Sequence, residues 1–288
     1  MKRIMALGVL VALSCSESEV TYPYFRYIFS SPQVNPINIR YYDGYIYFLD
    51  SGTGQIWRVD ADDGGAKRVG PSGYQFDVSD AGIAVVSFQG ENRLDIYDLS
   101  GDPKHSAILH GIEPMRARYG PGGDLYVAIL TEGDAGPLLR VNPDSGTADT
   151  VFPLVGEEFA VGTKKAYYFS PGDGRVVACV LGDTTTTSFW TGKPGMPDVF
   201  LHDVRLDLAQ DDRNLLVSPL LILDTETGIQ TPLHTVPYKQ GTELEGGIAW
   251  ETSMEGLFFN AMKIDTSEAA GANEYNHYWA IWYYGNPE

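Results

Sequence analysis

Eleven charged or titratable side chains fall in or just before the opening strands of a repeated unit in this 288-residue chain: Arg40, Asp77, Arg116, Arg118, Glu157, Glu158, His202, Asp203, Arg205, Glu243 and Glu245. Charge of both signs converging on one axis can hold a cation, coordinate a divalent metal or grip a polar ligand. It can equally line a water-filled channel with structural ion pairs. His202-Asp203 and Glu243-x-Glu245 are the first choices for a ligand set, and Arg40, Arg116 and Glu158 complete the candidate channel group. No catalytic residue is assigned, no cofactor is expected, and a divalent metal remains an open alternative.

Other constellations point to plain structure. The five histidines, His105, His110, His202, His234 and His277, lie singly, without metal-ligand spacing or a nucleophile elbow. Asp60-Ala61-Asp62-Asp63-Gly64-Gly65 looks like a calcium loop, but the twelfth position, where an EF-hand needs an acid, is Pro71. A hairpin turn is expected there. Cys179 sits in the apolar run Arg-Val-Val-Ala-Cys-Val, the setting of a buried inert thiol.

The elements that must position these residues are strands. Residues 43–60, Asp-Gly-Tyr-Ile-Tyr-Phe-Leu-Asp-Ser-Gly-Thr-Gly-Gln-Ile-Trp-Arg-Val-Asp, read as turn, strand, turn, strand, with glycines where hairpins need positive φ. Weaker copies follow, with second-strand centres at Tyr47, Val85, Tyr126, Tyr168, Leu216 and Phe258, spaced 38 to 48 residues apart. That spacing suits four-stranded blades. The expected fold is all-β, a six-bladed β-propeller with blades near 36–72, 73–111, 112–155, 156–197, 198–237 and 238–284. The last blade runs out of chain before its fourth strand. Residues 21–30, rich in aromatics and outside the first blade, are expected to supply that outer strand and close the ring, since an open sheet edge is a liability. Their aromatic residues would then face those of the last strand.

Tyr47-Phe48-Leu49-Asp50-Ser51-Gly52-Thr53-Gly54 with Ile56-Trp57-Arg58-Val59 resembles the repeat of YWTD-type six-bladed propellers. Gly120-Pro121-Gly122-Gly123-Asp124-Leu125-Tyr126-Val127 resembles the turn and strand of TolB-like propellers. The resemblance implies blades around a central channel, with ligands or partner chains met on one face of the disc.

At the N-terminus, Lys2 and Arg3 precede the ten-residue apolar run Ile4–Leu13, the pattern of a secretory signal too short to span a bilayer. Ala12-Leu13-Ser14-Cys15 resembles the lipobox of bacterial lipoproteins, which implies that Cys15 is the lipidated first residue of the mature chain. Residues 1–14 are then the signal peptide, 15–20 a lipidated tether of about 17 Å counted over Ser16–Val20, and 21–288 a single propeller domain. Ser16 resembles the outer-membrane sorting pattern. The expected location is the bacterial cell envelope, at the outer membrane facing periplasm or cell surface, with membrane contact only through the lipid.

Removing the signal takes away Lys2 and Arg3, so the formal charge of −18 becomes −20. Such acidity disfavours nucleic acid and anionic membrane surfaces, which need clustered cations. The expectation is therefore a binding or scaffold lipoprotein that holds an envelope protein or polymer. The enzyme alternative is an extracytoplasmic metal-dependent hydrolase or lyase with its site at the channel mouth.

Overall fold

Strands buried on both faces explain why the repeat shows runs of apolar residues rather than clean alternation. In the computed structural model, which describes residues 24–87, 92–108, 114–129, 135–156, 158–170, 174–190, 204–209, 211–218, 221–232, 248–250, 256–265 and 276–285, every described element is a strand. The expected signal peptide and Cys15, and also Glu157, His202, Asp203, Glu243 and Glu245, lie outside the described residues.

After β1 (Tyr24–Ser30), five antiparallel sheets each take four consecutive strands. The first holds β2 (Pro36–Tyr42), β3 (Tyr45–Asp50), β4 (Gln55–Asp60) and β5 (Ala66–Ser72), and the second holds β6 (Gln75–Ser79), β7 (Gly82–Ser87), β8 (Arg93–Tyr97) and β9 (Pro103–Ile108). The third holds β10 (Pro114–Tyr119), β11 (Leu125–Ile129), β12 (Ala135–Asn142) and β13 (Thr147–Gly156). The fourth holds β14 (Phe159–Val161), β15 (Lys165–Ser170), β16 (Arg175–Val180) and β17 (Thr186–Trp190). The fifth holds β18 (Arg205–Leu208), β19 (Asn214–Ser218), β20 (Leu221–Asp224) and β21 (Gln230–Pro232). A composite sheet joins the two ends of the chain, in the order β1, β24 (Asn276–Gly285), β23 (Gly256–Asp265), β22 (Ile248–Trp250).

The expected count of six equivalent blades is thus revised to five continuous blades plus one composite sheet. Its outer strand, β1, comes from the N-terminal side of the chain. β1 pairs antiparallel with β24, Phe25 opposite Tyr284 and Tyr27 opposite Trp282, with a register shift between Tyr27 and Phe29. The first strands of successive sheets touch one another, and β22 touches both β18 and β2.

Alternation along each strand divides its side chains between two neighbouring sheets. On β3, Ile46 and Phe48 pack with Ile39, Phe258 and Ile281 toward the composite sheet, while Tyr47 and Leu49 pack with Phe76, Ile83 and Val85 of the second blade. On β7, Ile83 and Val85 face backward, and Ala84 and Val86 face forward to Ala117, Leu125 and Val127 of the third blade. Cys179 lies in the next such layer with Tyr126, Phe152 and Phe159.

The Asp60–Gly65 segment is the expected hairpin turn. Asp60 Oδ1 accepts from the amides of Asp62 (2.9 Å) and Asp63 (3.3 Å), and Gly64 takes φ of 71°. The same Asx turn closes the third-to-fourth strand hairpin at Asp98, Asn142 and Asp224. This side-chain-to-amide bond substitutes for a backbone turn and fixes the hairpin.

Candidate functional site

The opening strands deliver their alternate side chains to one place. Arg40 comes from β2, Asp77 from β6, Arg116 and Arg118 from one face of β10, Glu158 from the residue before β14, and Arg205 from the start of β18. Of the sequence-nominated group, Arg40, Arg116 and Glu158 are brought into one network with Asp77, Arg118 and Arg205.

Two carboxylates organise it. Asp77 Oδ1 lies 2.9 Å from Arg40 Nε and 3.9 Å from Arg118 Nη1, and its Oδ2 accepts from the Tyr119 amide at 2.7 Å. That one side chain ties the first, second and third blades. Glu158 Oε2 lies 2.8 Å from Arg116 Nη2 and 4.0 Å from Arg205 Nη1, and its Oε1 accepts from Arg118 Nη2 at 3.4 Å and from the Leu206 amide at 3.1 Å. Glu158 thereby ties the third, fourth and fifth. Asn38 adds a bond from its Nδ2 to Gln75 Oε1 at 3.0 Å. Near the other end of the run, Asp212 Oδ2 accepts from the Thr163 amide at 2.7 Å.

Burial makes these contacts consequential. Arg116 is 1% exposed, Arg118 5%, Asp77 6% and Glu158 7%. Burial, then the neighbouring Arg40 and Arg116, pull the Arg118 guanidinium down to about 9 against the opposing pull of Glu158 and Asp77. For Glu158, burial alone would push the carboxyl up, but Arg116, Arg118, Arg205 and Arg40 together outweigh it and hold the group below its ordinary value. A carboxylate held this firmly ionised is a poor general acid or base near neutrality.

Beside this network, at the ends of the opening strands, lies a cavity of about 360 Å³ lined by Arg40, Tyr41, Tyr42, Asp77, Ser79, Tyr119, Asp207 and Asp212, with apolar closure from Val78, Val161 and Leu208. The Tyr119 hydroxyl is buried and has no hydrogen-bond partner among the described residues. Burial, then Asp77 and Asp80, push its pKa upward, and burial with Asp80 and Asp43 does the same to Tyr42. Tyr41, Tyr42, Tyr119, Asp207 and Asp212 were missed by sequence reasoning. The usable signal was the alternation Arg205-x-Asp207 on β18, which puts both side chains on one face of the strand.

The described residues contain no group of three or more His, Cys, Asp or Glu side chains spaced to hold a metal ion.

Solved structures similar to this chain include a streptogramin B lyase, at 14% identity and TM-score 0.55 over 92% of this chain and 98% of that one. They also include the virginiamycin B lyase of Staphylococcus aureus, at 12% identity and TM-score 0.54 over 92% and 99%. The PQQ-bound aldose sugar dehydrogenase of Streptomyces coelicolor is similar at 13% identity and TM-score 0.53 over 92% and 98%. The fold is a β-propeller. Identities this low carry the architecture and no activity. No protein-family model matches the chain, and no curated protein matches it in sequence.

Proposed function

We propose that this propeller is an exported binding or scaffold protein, anchored to the bacterial cell envelope by a lipid on Cys15, that holds a protein or polymer partner on one face of its disc. The disc is completed as a ring by the composite sheet, which makes a sixth unit alongside the five continuous blades. One observation carries the binding reading: the two central carboxylates are each shared among arginines of neighbouring blades. Asp77 and Glu158 stitch five successive blades, so the axis acts as a structural rivet, and the chemistry open to a ligand is the polar cavity at one mouth. A rigid scaffold with a shaped polar mouth is suited to recognition.

A second reading, an extracytoplasmic hydrolase or lyase using a divalent metal, draws on the fold shared with the two lyases. Its ligands would come from His202, Asp203, Glu243 and Glu245. Crosslinking pull-down of the lipidated protein from its native envelope, with mass spectrometry of partners and metal analysis of the eluate, separates the two. A recurrent near-stoichiometric partner is expected. A retained divalent ion with no partner would put the enzyme reading first.

A further inference from the structure

We infer that the outer edge of the fourth blade is a covalent modification site, at which the side-chain hydroxyls of Thr184, Thr185, Thr186, Thr187 and Ser188 carry O-linked glycosyl groups. Such a modification stands apart from the cavity face and does not depend on what that face holds.

The outer strand of a sheet leaves one row of backbone groups unpaired, and proteins blunt such edges with charge, proline or a bulge. Five of the six described outer strands do so. β1 has Arg26 and a register shift against β24, β5 has Lys67, Arg68 and Pro71, and β9 has Pro103 and Lys104. β13 has Asp149 and Pro153, and β21 ends on Pro232. β17 has none of these devices. It runs in unbroken register with β16, from Thr186 opposite Cys179 to Trp190 opposite Arg175, and no described strand pairs with its other side. Residues 184–190, Thr-Thr-Thr-Thr-Ser-Phe-Trp, hold no charge, Pro or Gly, which is the composition that templates strand addition. A bulky, hydrated substituent would block that edge.

The segment supplies its own attachment points. Residues 184–188 each bear a hydroxyl and each is exposed. Successive strand residues face opposite sides, so Thr186 and Ser188 project from one face of the edge and Thr187 from the other. Hydroxyls open to solvent on both faces leave no apolar groove to recognise the side chains of an added peptide strand, from a partner or a second copy. A glycosyl group also suits the site better than a phosphoryl group. The Asp183 carboxylate heads the run, accepting from the Thr184 amide at 2.6 Å and from the Thr185 hydroxyl at 2.9 Å. Phosphate would set like charge beside it in a chain already at −18, whereas a neutral sugar adds bulk and hydration without that repulsion.

The backbone at this edge is already extended, so a transferase reaches the hydroxyls without opening the blade. The step needs an activated sugar, a glycosyl ester of a nucleotide diphosphate or of a polyprenyl phosphate. A Thr or Ser Oγ attacks the anomeric carbon, the bond from that carbon to the phosphate oxygen breaks with its electron pair leaving on the phosphate, and the hydroxyl proton passes to a base of the transferase.

The test is mass spectrometry of the full chain purified from its native cells, with electron-transfer fragmentation of the tryptic peptide of residues 176–205. Whole sugar residues should appear in the mass of that peptide and map to residues 184–188. Thr184→Ala, Thr185→Ala, Thr186→Ala, Thr187→Ala and Ser188→Ala combined should remove all of the added mass, with the sheet signal in circular dichroism unchanged because these side chains are exposed. An unmodified peptide in the native protein would overturn the assignment, whether the edge is bare or covered by a bound strand. So would added mass that is phosphate, that maps wholly outside residues 184–188 or that survives in the Ala variant. The wild-type mapping decides the matter even if that variant fails to fold.

Discussion

Replacing Glu158 tests whether the centre of the disc is a rivet. In Glu158→Ala the side chain that faces Arg116 at 2.8 Å and Arg118 at 3.4 Å disappears, and the Leu206 amide loses its acceptor. Both arginines stay buried, at 1% and 5% exposure, with their shared counter-charge gone. Breaking a buried pair from one side costs about 3–5 kcal/mol. The Arg205 contact, at 4.0 Å from a side chain one-third exposed, adds little to that. For a domain of this size each kcal/mol moves the melting temperature by about 2–4 °C, so a fall of about 6–20 °C is expected.

Glu158→Gln keeps an acceptor for Leu206 and removes only the charge, so most of the loss should persist in it. The pH dependence has a fixed sign. The folded carboxyl is held below its ordinary value, so its contribution is present above the unfolded value of about 4.3 and is lost as pH falls through the folded one. The gap between wild type and the Gln variant should therefore be full at pH 7 and close in acid. Urea denaturation monitored by tryptophan fluorescence measures it. A loss below about 1 kcal/mol in both variants at pH 7 would refute the rivet, because it would mean that water already screens the network.

Three further outcomes follow from local geometry. Gly82→Ala should destabilise by at least about 1 kcal/mol in the same urea assay, because Gly82 has φ of 129° and an added Cβ would lie 2.2 Å from the Tyr97 carbonyl oxygen; an unchanged midpoint would contradict the close approach of β7 and β8. Cys179, pushed up to about 11 by burial, should resist iodoacetamide at pH 8 in the folded protein and alkylate fully in denaturant, as intact-mass spectra would show. The Asp224 carboxyl, pulled to about 2 by the Thr227 amide and Arg213, should titrate there by carbon-13 NMR and move upward in Arg213→Ala; no movement would remove Arg213 as a cause.

Much of the architecture was legible because second strands are buried on both faces. Every second-strand centre read from the sequence, from Tyr47 to Phe258, falls inside β3, β7, β11, β15, β19 or β23. The first blade was read almost to the residue, its Asp-Gly and Gly-Thr-Gly turns leaving little freedom. Later blades were blurred by physical irregularity. β14 is only three residues long, β13 runs for ten with register shifts against β12, and β23 and β24 each run for ten. Arg40, Arg116 and Glu158, nominated from the charged opening strands, lie in one ion-pair network. Their partners were not legible, because Arg40 meets Asp77 and Arg118 meets Glu158 across neighbouring blades, where distance along the chain says nothing about which carboxylate oxygen faces which guanidinium. The recurring Asx turn at Asp60, Asp98, Asn142 and Asp224 was present in the sequence as a hydrophobic residue followed by Asp or Asn, and was read only at its first copy.

The binding claim is tested most directly by photo-crosslinking in the native envelope. Within a four-stranded meander the first and third turns share one end and the second turn lies at the other, an arrangement seen where the Ala61 amide donates to the Gly44 carbonyl. p-Benzoylphenylalanine introduced at Asp80 reports on the cavity face, and at Thr53 on the opposite face. The account predicts one discrete adduct from Asp80 and none from Thr53. An adduct from neither position would contradict it, and an adduct from Thr53 alone would place the partner on the wrong face.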